Sequence, residues 1–326
     1  MTVRDALREG AAALAGTETP FLDASLLLAD ALGITTTSLL ASGPDAVDEA
    51  RLVRYRIALA SRGRGMPVAY ILGYKEFWGR RFMVDGRVLI PRADTETLVE
   101  AALKLGDKIE KEKATREKKA TTEAQREEEI TEKSRGRSQC LRGESSFRLR
   151  VHDVCTGSGC VAVSLAAERP AWKLSASDLS EGALEVASVN ADAILGPDRG
   201  ASPRPGGELP FAKSDLLSSV NGPLEMIVAN PPYVPSVETD GLLGLGWSEP
   251  RMALDGGKDG LDFVRRLVFE AASRLSPGGA LLVEADGEEA ALVAELFRTS
   301  RFIEIQTLCD LGGRPRVTSG RRPWTT

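Results

Sequence analysis

Asn230-Pro231-Pro232-Tyr233 is the stretch of this sequence whose residue types imply chemistry most directly. The apolar run Met226-Ile227-Val228-Ala229 leads into it as a buried strand leads into a turn. Pro231 keeps Asn230 extended, and two consecutive prolines with fixed φ stiffen the corner. Such a corner presents an amide side chain, a backbone carbonyl and an aromatic ring together. The Asn230 side-chain oxygen and the Pro231 carbonyl can accept both N–H bonds of a planar NH2. They thereby aim its lone pair at an electrophilic carbon and stabilise the positive charge that builds on nitrogen. An amide or arylamine nitrogen needs this help, because its lone pair is delocalised and no side-chain base deprotonates it usefully. Tyr233 is expected to stack on the planar group. Taken alone, the stretch also fits a stiff turn after a core strand.

A second constellation supplies a partner for such a corner. The strand-like Val151-His152-Asp153-Val154 runs into Cys155-Thr156-Gly157-Ser158-Gly159 and then a helix. Glycines there allow close approach of a ligand and dihedrals closed to other residues. About 25 residues after Asp153, Asp178 ends the next strand, where a carboxylate can accept both hydroxyls of a ribose. Gly157-x-Gly159-x-x-Ala162 fits a dinucleotide fingerprint too, so a nicotinamide cofactor competes. Asp153, however, offers a carboxylate near a cationic amino acid moiety rather than a pyrophosphate, which favours S-adenosylmethionine. Asp215, in Lys213-Ser214-Asp215-Leu216, ends a further strand and is expected near the adenine amino group.

The elements that must position these groups alternate from residue 148 onward. Strands are expected at 149–154, 173–177, 226–229 and 280–285, with helices at 161–168, 181–194, 261–275 and 288–298. That alternation implies parallel βαβ units in a doubly wound α/β sheet, with ligands at the carboxyl ends of the strands. Upstream, residues 1–66 read as a helical bundle. Val3, Ala6, Leu7 and Leu14, then Leu22, Leu26, Leu27 and Leu28, then Leu52, Val53, Ile57 and Leu59 recur at helical spacing. Residues 67–92 read as a β-hairpin linker, with aromatic and β-branched residues around Gly79 and Asp85-Gly86. The transfer domain is expected over 93–326, opening on a helix at 95–105 capped by Asp94. Residues 106–147 are dense in Lys, Glu and Arg and read as an insertion, either disordered or a solvated helix. A Gly/Pro-rich loop follows at 196–210.

Composition excludes several classes. The 326 residues carry 42% hydrophobic and 27% charged side chains, and a net charge of -5 with pI near 5.3 argues against a basic nucleic-acid footprint. Nothing approaches a membrane span, and the N-terminus, with Asp5 and Glu9, lacks the apolar core of a signal peptide. Cys140, Cys155, Cys160 and Cys309 show no CxxC pair and His152 is the only histidine, so neither a metal site nor a disulfide framework is expected. These features point to a cytoplasmic protein. Nothing marks an assembly surface, so a monomer is expected.

These residues resemble the family of protein-glutamine methyltransferases that modify peptide chain release factors. Besides the tetrapeptide, the resemblance rests on Glu76-Phe77-Trp78, on Leu89-Ile90-Pro91-Arg92-Ala93-Asp94-Thr95-Glu96, and on Glu249-Pro250-Arg251 with Ala253-Leu254. It runs from about residue 67 to 317, interrupted by the charged segment. It implies a class I S-adenosylmethionine-dependent methyltransferase fold: a doubly wound, mostly parallel seven-stranded sheet behind a small helical domain and a hairpin. It implies cofactor contacts from Thr156 to Gly159 and at Asp178, Leu216 and Asn230. The implied substrate is the glutamine of the Gly-Gly-Gln tip of class 1 release factors, held against Asn230 to Tyr233. Two departures stand out. Cys155 occupies a place usually held by glycine, and Val283-Glu284-Ala285-Asp286-Gly287 only loosely matches a Leu-Glu-x-Gly stretch. Three other readings compete: a methyltransferase for a ribosomal-protein glutamine, an amino-methyltransferase for nucleic acid, and an inactive cofactor-binding scaffold. The second would need a basic groove and a way to flip a base out of the duplex.

Overall fold

The computed structural model describes residues 1–132, 148–196 and 207–324, without the side chains of 117, 118, 120, 121 and 123–132. The end of the charged run, with Cys140, and most of the loop at 196–210 lie outside the described residues.

The N-terminal part is helical: α1 Val3–Ala13, α2 Pro20–Leu32, α3 Thr36–Ala41, α4 Glu49–Gly63 and α5 Val68–Leu72. Local signals set the ends. Thr2 and Asp5 form a reciprocal capping box on α1, Pro20 opens α2 and left-handed Gly33 closes it. Leu7, Leu14, Leu27, Leu28, Leu52, Tyr55 and Leu59 meet in one core. Leu22, Val53 and Ile57, expected on the same stripes, face outward instead, Ile57 being 64% exposed.

Strands β1 Tyr74–Phe77 and β2 Arg80–Met83 form the hairpin. Its turn is Trp78-Gly79, both at positive φ (51° and 67°), as a two-residue turn between twisted strands requires. Asp85-Gly86 is not the turn and follows β2. Trp78 is held there by its backbone N–H, which donates to Glu96 at 2.7 Å, and its indole, which donates to Glu168 at 3.1 Å.

A 3-10 turn, Ala93–Thr95, then leads into α6, Glu96–Glu132. Two expectations are corrected here. Asp94 is not a cap but pairs with Arg316 at 3.1 Å. The charged run does not leave the core at residue 106. Ile109 is fully buried, Lys113 donates to the buried Glu225 at 2.9 Å, and Glu112 pairs with Arg321 at 2.7 Å. The low apolar content concealed this because acidic and basic side chains, not apolar ones, make most of the contact.

Among the described residues the main sheet has seven strands in the order β5-β4-β3-β6-β7-β9-β8. These are β3 Arg150–Val154, β4 Lys173–Asp178, β5 Phe211–Lys213, β6 Leu224–Ala229, β7 Leu275–Glu284, β8 Ile303–Cys309 and β9 Pro315–Arg321. All run parallel except β9, which opposes both its neighbours. Helices α7 Cys160–Glu168, α8 Glu181–Leu195, α9 Ser236–Gly244, α10 Asp262–Arg274 and α11 Ala290–Thr299 complete the layers. One apolar cluster fills each face of the sheet. The strand order reverses between β3 and β6, the point at which a doubly wound sheet opens a crevice. No helix among the described residues is long and apolar enough to cross a membrane.

Candidate active site

Strand register builds the site. Val154 is paired with Ser177 on one side and Ala229 on the other, so Cys155, Asp178 and Asn230 emerge side by side from three adjacent strands. Asp178 pairs with Lys213, which brings Ser214 to Leu216 alongside. Together with the chain from Arg87 to Thr95 and with Pro250 to Ala253, these ends enclose a cavity of about 270 Å³. Asp153, Cys155, Thr156, Gly157, Ser158, Asp178, Asp215, Leu216, Asn230 and Pro232 all line it. Gly159, Pro231 and Tyr233 do not. Gly159 sits at φ 78° as the N-cap of α7, Pro231 is buried and Tyr233 half-buried.

The turn after β3 is held by carboxylates. One oxygen of buried Asp153 accepts the Thr156 hydroxyl at 2.6 Å and the Ala162 N–H at 3.2 Å. Burial nevertheless raises its carboxyl to about 7. Asp178 accepts the N–H of Gly157 and of Ser180, both at 2.9 Å, one on each oxygen, which leaves further lone pairs for two hydroxyls. Burial raises its carboxyl as well. Asp215, expected near the adenine, pairs with Arg266 at 2.8 Å at the rim. Leu216 is buried at φ 49°. Cys155 adopts φ 58°, a left-handed conformation that glycine takes without cost. Its thiol is pushed far up, by burial and then by Asp178 and Asp153, so it stays neutral. His152 is turned into the sheet, its ring nitrogens against the hydroxyls of Ser175 (2.8 Å) and Ser177 (2.9 Å), and burial lowers it to about 4. It is not a base for this cavity.

The signature around Ile90-Pro91-Arg92 acquires physical roles that no spacing rule assigned. The Ile90 N–H donates to Glu249 at 2.9 Å, Arg92 pairs with the same buried carboxylate, and the Trp247 indole donates to it at 2.7 Å. This ties the segment after the hairpin to the segment after α9 across the cavity. Asn230 donates its Nδ2 to the Thr95 hydroxyl at 3.2 Å, and that hydroxyl donates to Glu284 at 3.0 Å. Thr95, Glu249 and Glu284 were absent from the sequence-derived site. The signal available for Glu284 was an acidic residue ending an apolar strand.

The cavity suits S-adenosylmethionine. Asp178 offers acceptors for a ribose at the end of β4, and the Gly157 backbone is open, since a Cβ there would meet nothing within 4 Å. Among the described residues no cluster of His, Cys, Asp and Glu could hold a metal. A carboxylate placed to receive a ribose and, two strands across, a corner able to accept from an NH2 belong together when a methyl passes from an adenosine-linked sulfur to nitrogen. Fold and pairing thus define the class, a class I S-adenosylmethionine-dependent methyltransferase.

Relatives narrow it. The family described as PrmC N-terminal domain matches residues 5–73, and the methyltransferase small domain matches 139–244. A release factor glutamine methyltransferase of Bradyrhizobium diazoefficiens is 37% identical over 92% of this chain and 88% of its own. Those of Cereibacter sphaeroides and Moorella thermoacetica are each 35% identical, over 99% of both chains and 97% of both chains respectively. The chain belongs to the release factor glutamine methyltransferase family.

Proposed function

We propose that this protein methylates the side-chain amide nitrogen of the glutamine in the Gly-Gly-Gln motif of class 1 peptide chain release factors, and so supports translation termination. The observation that carries this reading is the amide of Asn230, whose nitrogen is engaged by Thr95 while its residue lines the cavity. The oxygen is thereby left for an incoming N–H. Thr156 to Gly159, Asp178 and Leu216 would hold S-adenosylmethionine, with Asp153 and Cys155 shaping the turn and Asp215 at the rim. Bound, the cofactor supplies a methyl group made electrophilic by its sulfonium. Asn230 and the carbonyl of Pro231 accept the two N–H bonds of the glutamine, orient its lone pair and stabilise the charge that develops. Pro232 walls the cavity and Tyr233 backs the planar amide.

Residues 1–66 serve as the docking domain in this reading, with outward Val53 and Ile57 as part of its contact surface. Residues 67–92 form the hairpin linker and 93–326 the transfer domain. The protein acts in the cytoplasm, as a monomer, without a nucleic-acid substrate. The test is incubation with labelled S-adenosylmethionine and, separately, a class 1 release factor, ribosomal proteins, DNA and RNA. Label on the Gly-Gly-Gln glutamine supports the reading. Label only on a ribosomal protein or on nucleic acid replaces it.

A further inference from the structure

We propose that Thr95 and Glu284 are positioning residues that decide which end of the Asn230 amide faces the substrate, an inference that rests on the glutamine reading above. An asparagine amide has two ends of nearly equal shape. Only the oxygen can receive the N–H of a substrate NH2; turned over, Asn230 would set one NH2 against another. Something must therefore choose the orientation, and the structure holds a short chain of donors that can. Asn230 Nδ2 donates to Thr95 Oγ1 at 3.2 Å, and Thr95 Oγ1 donates to Glu284 Oε1 at 3.0 Å.

The polarity of this chain follows from proton count. A carboxylate has no proton, so the hydroxyl must donate to it. A hydroxyl has one proton, so once that is committed to Glu284 it shows only lone pairs to Asn230. The nitrogen end of the amide must then meet Thr95, and the oxygen end is left for the substrate. Solvent does not interfere: Thr95 is 2% exposed and Glu284 1%. Glu284 Oε2 is also buried and has no hydrogen-bond partner, so half of this carboxylate is left unsatisfied under the corner at a cost in stability.

The groups facing Glu284 come from four elements. They are Thr95 and Asp94 from the 3-10 turn, Asn230 and Tyr233 from the corner after β6, Arg316 from β9 and Cys160 from α7. Burial, with Asp94, raises Glu284 to about 7, against the lowering effect of Thr95, Arg316 and the Asn230 amide, whose N–H end therefore favours the same side. Below that point the acid can itself donate to Thr95. The hydroxyl proton is then free to turn toward Asn230, where it favours the inverted amide. Turnover should consequently decline on the acid side.

The experiment is steady-state kinetics with a release factor across pH 5.5–8.5 or so, on wild type, Thr95→Val, Thr95→Ser and Glu284→Gln, with cofactor affinity measured by calorimetry. Thr95→Val keeps the shape and loses the hydroxyl. We expect its kcat to fall about 10–100-fold, with cofactor Kd unchanged within about twofold and Thr95→Ser recovering most of the loss. The wild-type acid limb, centred near the raised Glu284 value of about 7, should vanish in Glu284→Gln. Wild-type kcat in Thr95→Val overturns the proposal, as does an unaltered acid limb in Glu284→Gln, which would assign the limb to another group such as Asp153. If Glu284→Gln does not fold, the Thr95 pair decides alone. Failure of wild type to methylate the release factor would refute the function proposed above; activity in wild type with unaffected variants refutes only the orienting chain.

Discussion

Gly157 and Gly159 lie two residues apart in the turn after β3, both at positive φ (54° and 78°), yet alanine at each should fail differently. At either position the left-handed backbone costs an L-residue about 1–2 kcal/mol, offset by about 0.4–1 kcal/mol from a less flexible unfolded chain. At Gly157 the added Cβ meets no protein atom within 4 Å, so the net loss of stability should be about 1.5 kcal/mol or less. At Gly159 the Cβ would lie 3.0 Å from the Ala187 Cβ and 3.2 Å from its Cα, forcing α7 and α8 apart. Overpacking of this kind adds about 1–3 kcal/mol, for a total near 1–4.5 kcal/mol, or a melting temperature lower by roughly 2–18 °C at 2–4 °C per kcal/mol. The methyl of Gly157→Ala stands in the cavity instead, and should weaken S-adenosylmethionine binding about tenfold or more, equivalent to at least 1.4 kcal/mol. Thermal melts of the free protein and calorimetric titration with the cofactor separate the two effects. Equal melting losses, or full cofactor affinity in Gly157→Ala, would refute the placement of this turn as a cradle.

Three further changes probe the rest of the molecule. Asn230→Ala should cut turnover about 10²–10³-fold, while calorimetry shows cofactor binding retained; unchanged turnover removes Asn230 from the reaction. Glu225→Gln tests the polar anchor under α6. Burial alone would raise this carboxyl, but hydrogen bonds from Arg150, Lys113 and Ser276 outweigh it and hold it near 2. A depressed carboxylate contributes stability above its unfolded value of 4.5 and loses it as pH falls toward about 2. Denaturant midpoints should therefore show wild type ahead by about 3 kcal/mol at neutral pH, with the gap narrowing below pH 4.5 and closing near pH 2. A gap that does not depend on pH would contradict the ion-pair account. Ile109→Ala should cost about 2–5 kcal/mol in the same assay, and deletion of 106–147 should prevent folding, whereas a solvated insertion would tolerate both.

What could be read from the residues was whatever lay contiguous in the chain. Strands β3, β4, β6 and β7 appear as short apolar runs, and the two corners that end β3 and β6 carry their own glycine and proline signals. The antiparallel pair β8 and β9 was not legible. Most of β8 is exposed, and β9 buries Arg316, Thr318, Ser319 and Arg321, a polar composition that reads as loop. For the same reason the stretch of α6 from residue 106 onward resembles a solvated segment. Its contacts are ion pairs to Glu225 and Arg321, and only Ile109 announces the core. The chain beneath Asn230 was out of reach for a different reason. Thr95 lies 135 residues from Asn230 and 189 from Glu284, and only strand order and register bring them together.

The most direct test is a crystal structure of the protein with S-adenosylhomocysteine and a peptide carrying the Gly-Gly-Gln sequence. The glutamine amide nitrogen should lie about 2.7–3.2 Å from both Asn230 Oδ1 and the Pro231 carbonyl oxygen, facing the cofactor sulfur above Gly157. A glutamine bound elsewhere, or a corner after β6 turned away from the sulfur, would contradict the account.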